Sequence, residues 1–290
     1  MLTTDTTIAR SQGAFDAAAQ VVLFFVHSNL LISTAATSVA LSTMLLADLP
    51  VEWLPLFIVF AVTLFVYSFN RLTDLAEDEE NVPRRASFID DYGFALLAVG
   101  TVLYFLATVA AIVAGIRGAP AMVVPLAVAL LYSVFGLKRV LLVKNLLVGL
   151  SWGLIPLGVG VYYEVLVTFD VLFMFAFTTA SLTIAAVVFD IKDIEGDRVE
   201  GIRTVPVLAG PRRTRQLASV ATTLLGVGVA GLIAVGALHA RYAALLVFLA
   251  YILGYSQFAT TDRTPLFYGF VIDSEHILLA AILLATEALL

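Results

Sequence analysis

Two short acidic segments carry the chemistry open to this sequence: Asn70-Arg71-Leu72-Thr73-Asp74-Leu75-Ala76-Glu77-Asp78 and Asp190-Ile191-Lys192-Asp193-Ile194-Glu195-Gly196-Asp197. In each, two key aspartates stand four residues apart. A helix continuing through them would project both carboxylates from one face, about 5–6 Å apart. Asn70 extends the first face by a further turn. Carboxylates that close repel, and near a membrane their desolvation is costly, so a positive partner is expected. Hard oxygen donors without His or Cys favour Mg²⁺, which keeps waters and accepts phosphate oxygens as further ligands. A diphosphate is the natural guest. Neutralising the charge on a departing diphosphate would leave the group it departs from as a cation open to a nucleophile, sheltered from water by an apolar interior.

The elements that must position these segments are transmembrane helices. The 290 residues are 61% hydrophobic and only 13% charged, against roughly 25% charged in a soluble domain. Apolar runs of spanning length recur from end to end, so no separate soluble domain is expected and residues 1–290 read as one domain. Nine spans are expected, near 20–47, 53–72, 92–115, 119–136, 145–164, 168–188, 215–238, 241–259 and 272–289. They must be helices because lipid-facing backbone has to satisfy its own hydrogen bonds. The start, Met1 to Asp16, lacks the pattern of a cleaved secretory signal. There is no cysteine, which removes disulfides and thiol chemistry, and the net charge of -6 excludes a nucleic-acid surface.

Lys and Arg give an orientation. Thirteen fall in the connections after helices 2, 4, 6 and 8, and only Arg117 and Arg241 in the odd ones. The even connections, which hold both acidic segments, are therefore expected in the cytoplasm of a cell-membrane protein. Asp74 to Asp193 and Asp78 to Asp197 are both 119 residues, with four helices between. An even number of spans returns the chain in the same sense, the mark of a parallel internal repeat. The expected fold is all-α: a multi-pass transmembrane bundle of two repeated four-helix halves plus one helix around a central cavity.

At these residues the sequence resembles the UbiA-type intramembrane prenyltransferase superfamily. Asn70, Asp74 and Asp78 match its N-x-x-x-D-x-x-x-D signature. Asp193 and Asp197 match its D-x-x-x-D, followed by Asp197-Arg198-x-x-Gly201-x-Arg203-Thr204-x-Pro206, which looks like the family's GDR…G…T-P continuation. Asp190 is then an additional group beside the metal ligands. Tyr132-Ser133 through Lys138-Arg139 to Lys144-Asn145 looks like the family's Tyr…Lys…Asn segment after helix 4. The resemblance implies nine helices around a cavity, Mg²⁺ between the motifs held by Asn70, Asp74, Asp78, Asp193 and Asp197, a prenyl diphosphate donor, a lipophilic acceptor and contact with membrane lipid. Two departures mark a divergent, archaeal-like branch. Val26 stands where an Arg commonly precedes the helix 1 Asn, here Asn29, and Asn81-Val82-Pro83-Arg84-Arg85-Ala86 replaces the frequent R-P-L run.

Further substrate-binding candidates are Asn29, Tyr132, Lys138, Arg139, Asn145, Asp190, Arg198 and Arg203. Several have a plainer reading. Asn29, beside His27 and Ser28, could instead join helices by hydrogen bonds. Lys138 and Arg139 could be positive-inside anchors, Lys192 could pair with either neighbouring aspartate, and Asp262, Asp273 and His276 read as cap or loop residues. Two other functions fit parts of the pattern. A transporter or ion-coupled carrier also uses repeats and intramembrane acids, but is expected to place them at mid-bilayer. A CDP-alcohol phosphotransferase expects one contiguous D-G-x-x-A-R…D-x-x-x-D block, which this sequence lacks.

Overall fold

The computed structural model describes residues 19–73, 75, 83–127, 142–199, 201–264 and 266–288. Among them all regular structure is helical: α1 (Ala19–His27), α2 (Leu30–Leu46), α3 (Trp53–Thr73), α4 (Pro83–Val113), α5 (Val143–Tyr162), α6 (Phe169–Phe189), α7 (Ile194–Val199), α8 (Val205–Ala234), α9 (Ala244–Phe258) and α10 (Glu275–Glu287). A π-helical turn, Phe267–Ile272, leads into α10. Seven helices are long and apolar enough to cross a membrane, or eight if the bent pair α1–α2 is one span. The expected fourth span, 119–136, is described only to residue 127.

Three expected boundaries move. The first span is not one helix but bends by 71° between α1 and α2, where Asn29 adopts φ 61. Asn tolerates this left-handed conformation better than most residues. Helix α4 starts at Pro83, well before the apolar run, because Pro at a first helical turn loses no needed donor and the charged turns of Arg84, Arg85, Asp90 and Asp91 extend beyond the apolar stretch. Helix α8 starts at Val205 and kinks where Gly210 takes φ 78 ahead of Pro211.

The expected repeat reappears in the backbone. Among the described residues, the non-glycine residues with left-handed φ are Asn29, Asp48, Leu142 and Glu164. Asn29 and Leu142 precede α2 and α5, while Asp48 and Glu164 follow them. Gly115 and Gly236, both left-handed, end α4 and α8 in the same way. Equivalent helices thus begin and stop by the same local device.

Helix α2 packs against α3, α5 and α10, while α5–α6, α6–α8, α8–α9 and α9–α10 complete the circuit. The α5–α6 seam is close: Gly149 and Gly153 lie against Thr183 and Thr179 so tightly that a Cβ at either would collide. Small residues four apart allow such approach where lipid supplies no hydrophobic drive. One core lies among α6, α8, α9 and α10, and includes Phe177, Tyr242, Phe248 and Ile252. A second joins α2, α5 and α6 through Ala35, Val39, Trp152 and Leu182. At the end remote from the acidic segments, Tyr162 donates to Glu52 at 2.7 Å, Arg241 reaches Asp48 at 3.0 Å and Tyr242 donates to Asp170 at 2.5 Å. These bonds fasten the connections there.

Candidate active site

The second acidic segment begins where α6 ends. Because α5 and α6 are antiparallel neighbours, the first turn of α5 meets the last turn of α6. Lys144 Nζ lies 3.0 Å from Asp190 Oδ1, and Asn145 Nδ2 donates to Asp190 Oδ2 at 2.8 Å. The amino end of a helix also favours a nearby anion. Asp190 is thereby held from both oxygens in a nearly fully buried position.

From Asp190 the chain makes one tight turn into α7. Asp197 N–H donates to Asp193 C=O at 2.8 Å, so the backbone between the two aspartates is helical and their four-residue spacing puts them on one face. Lys192 Nζ contacts both oxygens of Asp193, at 2.5 and 2.7 Å, and lies over the Phe189 ring at 4.7 Å. Gly201, at φ 71, ends α7 and turns the chain back. Thr204 Oγ1 then donates to Asp197 Oδ2 at 3.0 Å. This is the physical content of the Asp-Arg-x-x-Gly…Thr sequence: the glycine permits the reversal that brings the threonine to the carboxylate. Burial pushes Asp197 up to about 6, with Lys144 pulling it down and Asp190 pushing it up.

Arg198 turns outward, pairing with Glu195 at 2.7 Å in an exposed position, and Arg203 is also exposed. Asn29 is buried and its Nδ2 donates to Ser68 Oγ at 3.4 Å, tying the α1–α2 bend to the last turns of α3. Asn70 and Arg71 sit two and three residues beyond Ser68 and line one end of a cavity of about 470 Å³ between α3 and α5. The cavity continues past Tyr67 and Trp152 to Pro55, Gly118 and Tyr162. Pro55 to Asn70 is about 22 Å along the helix at 1.5 Å per residue. Asp74, Asp78, Tyr132, Lys138 and Arg139 lie outside the described residues.

The residues present suit a hard divalent ion. They are oxygen donors, and Asp197 is a buried carboxylate whose charged form is short of positive compensation. Among the described residues, no three acidic or imidazole groups converge to hold a metal on their own. Asp193 and Asp197 would be one side of a site whose other ligands, by the sequence, are Asn70, Asp74 and Asp78.

Lys144, one of the thirteen cations of the even connections and part of the family-like segment that ends at Asn145, is not among the sequence's binding candidates, yet it meets Asp190. His276, by sequence, reads as a cap or loop residue. The structure instead buries His276 inside the bundle, next to Glu275.

The UbiA prenyltransferase family model matches residues 30–266. The chain belongs to the UbiA prenyltransferase family. Its fold is that of solved UbiA homologues. The apo structure of a UbiA homologue from Aeropyrum pernix K1 aligns with TM-score 0.66 at 21% identity, over 88% of this chain and 98% of that one. A UbiA homologue from Archaeoglobus fulgidus, bound to DMAPP and Mg²⁺, aligns with TM-score 0.66 at 14% identity, over 93% and 99%. A digeranylgeranylglyceryl phosphate synthase structure aligns with TM-score 0.52 at 19% identity, over 92% and 96%. A sequence search among curated proteins returns no match.

Proposed function

We propose that this chain is an intramembrane prenyltransferase, moving a prenyl group from a prenyl diphosphate to a lipophilic acceptor. The observation that carries the reading is a junction. A buried acidic turn interleaved with Lys144 and Lys192 occurs in a family-matching chain, and an apolar cavity opens at Asn70 and Arg71, where the first acidic segment begins. Mg²⁺ fits the ligand set, as in the Archaeoglobus fulgidus homologue bound to DMAPP and Mg²⁺. When bound, it would offset the charge of the diphosphate and act as a Lewis acid on its oxygens.

The chain's own residues do the rest. Asp193 and Asp197 face the metal side, and with Asn70, Asp74 and Asp78 complete the ligand set. Thr204 holds Asp197 in place, while Asn145 and Lys144 hold Asp190 beside it. Lys144 and Lys192 are, among the described residues, the cations paired to the acidic turn and take up phosphate charge in place of the Arg absent at Val26. Tyr132, Lys138, Arg139, Arg198 and Arg203 are further diphosphate-binding candidates. The apolar cavity receives the isoprenoid tail and keeps water from the allylic cation. The protein lies in the cell membrane, in contact with its lipid, with the acidic segments toward the cytoplasm.

The bend at Asn29 favours this reading over a carrier. It is level with Ser68, near the acidic end of α3, and the 17 residues of α2 beyond it span most of the hydrocarbon core. A carrier's broken helix belongs at mid-bilayer. The test is transfer by reconstituted protein from prenyl diphosphates of graded length into membrane lipid extract, read by mass spectrometry. Asp74→Ala and Asp193→Ala are expected to abolish it in folded protein. Full turnover by both variants with magnesium chelated would defeat the metal assignment.

A further inference from the structure

Deep in the bundle, beyond the acidic turn, α9 and α10 bring three polar side chains together. Tyr255 Oη donates to Glu275 Oε2 at 2.7 Å. Glu275 Oε1 lies 3.7 Å from His276 Nε2, too far for a hydrogen bond. Glu275 and His276 are each 2% exposed. Glu275 Oε1 and both imidazole nitrogens have no hydrogen-bond partner. A neutral imidazole offers one donor and one acceptor, and burying both unused beside an unused carboxylate oxygen is costly. Such a group is built to receive something polar.

The surroundings say where that something would come from. The His276 ring stacks on Trp152, with centroids 5.9 Å apart, and Phe248 lies 5.0 Å away. Trp152 is the shared wall: it lines the cavity, and its Nε1 donates to Tyr67 Oη at 3.2 Å, another cavity residue. One turn earlier on the same chain, Asp273 sits in the field of Arg71, Lys192 and Arg85. His276 lies three residues further along the chain, in the first turn of α10.

We propose that Tyr255, Glu275 and His276 form the acceptor-side proton site, in which His276 Nδ1 receives the hydroxyl of a lipophilic acceptor and takes its proton. The proposal rests on the prenyltransferase reading and adds the acceptor class and the base. The C1–O bond to diphosphate breaks and its electron pair leaves with the diphosphate. A lone pair of the acceptor oxygen forms the new O–C1 bond, the O–H pair stays on that oxygen, and the proton passes to His276 Nδ1. Glu275 faces Nε2 and stabilises the resulting imidazolium, while Tyr255 holds the carboxylate in register. A carboxylate behind an imidazole that faces the reacting hydroxyl is the division of labour a general base needs.

The test uses full-length protein in lipid nanodiscs. Donor binding is measured with Mg²⁺ and geranylgeranyl S-thiolodiphosphate, which does not react. Transfer from geranylgeranyl diphosphate is measured to a long-chain glycerol monoether and to a long-chain phenol. His276→Gln keeps a hydrogen-bonding amide but cannot take a proton. It is expected to lower transfer kcat about 100-fold or more, with acceptor KM changed by less than threefold and thiolodiphosphate affinity by less than twofold. Glu275→Gln is expected to lower kcat about tenfold on the same criteria. Wild-type kcat in both variants overturns the proposal, as does a loss of donor affinity parallel to the loss of kcat, which marks a structural role. If His276→Gln fails to accumulate, Glu275→Gln and Tyr255→Phe carry the test, and unchanged kcat in both overturns it. Wild-type protein that binds the thiolodiphosphate but prenylates neither hydroxyl lipid also overturns it and leaves the donor site standing. Absence of thiolodiphosphate binding would instead overturn the prenyltransferase reading itself.

Discussion

The acidic turn after α6 and the polar cluster on α10 are both buried, yet they are completed differently. In the turn each carboxylate has a protein partner: Lys144 and Asn145 for Asp190, Lys192 for Asp193, and Thr204 for Asp197. In the α10 cluster Tyr255 satisfies one carboxylate oxygen, while Glu275 Oε1 and both nitrogens of His276 are left over. The difference is one of preorganisation. A site proposed to grip a polyanion and metal at the bundle's end can keep its cations paired to its own carboxylates until substrate arrives. A site deeper in the apolar interior is completed only by what enters it.

Substitutions break this contrast in graded steps. The largest effect is expected from Asp193→Ala, which removes a carboxylate of the proposed metal ligand set. Transfer should fall about 1,000-fold, measured as product formed per folded protein, with thermal unfolding little changed. Lys144→Met comes next, because it leaves Asp190 buried without its cation. Breaking a buried pair from one side costs about 3 kcal/mol, to be read as a lower Tm in nanodiscs, and Lys144→Met combined with Asp190→Asn should recover much of it. Asn145→Ala removes one hydrogen bond to a charged group and should cost about 2 kcal/mol by the same measurement. Arg198→Ala is the smallest: its pair with Glu195 is exposed, so stability should change by less than about 0.5 kcal/mol. Any loss of thiolodiphosphate affinity in that variant then reports contact with diphosphate, not a weakened fold.

Orientation gives a separate check. Accessibility labelling is expected to find residues 79–90 and 198–210 on the cytoplasmic side. Labelling on opposite sides would end the idea that both acidic segments serve one cavity.

Much of the fold was legible because lipid imposes a simple rule: an apolar run of spanning length must be a helix. That rule reads the lipid-buried part of each helix and is blind to polar turns beyond it, which is why α4 and α8 begin earlier than their apolar runs. The repeat was visible in the 119-residue offset of the aspartates, and the paired left-handed residues at Asn29 and Leu142 express it in the backbone. The glycine after Asp197 was visible as part of a family continuation, but its role in bringing Thr204 back required the chain's path.

By itself the sequence determined that helices cross a membrane and that aspartates four apart share a face, since composition and helical spacing decide both. Only the tertiary structure decided that Lys144 meets Asp190 across the α5–α6 seam and that Glu275 and His276 turn inward together. The reason is physical: a helix apolar on nearly every side gives no signal of which side faces the core, so its rotation is set by packing against its neighbours.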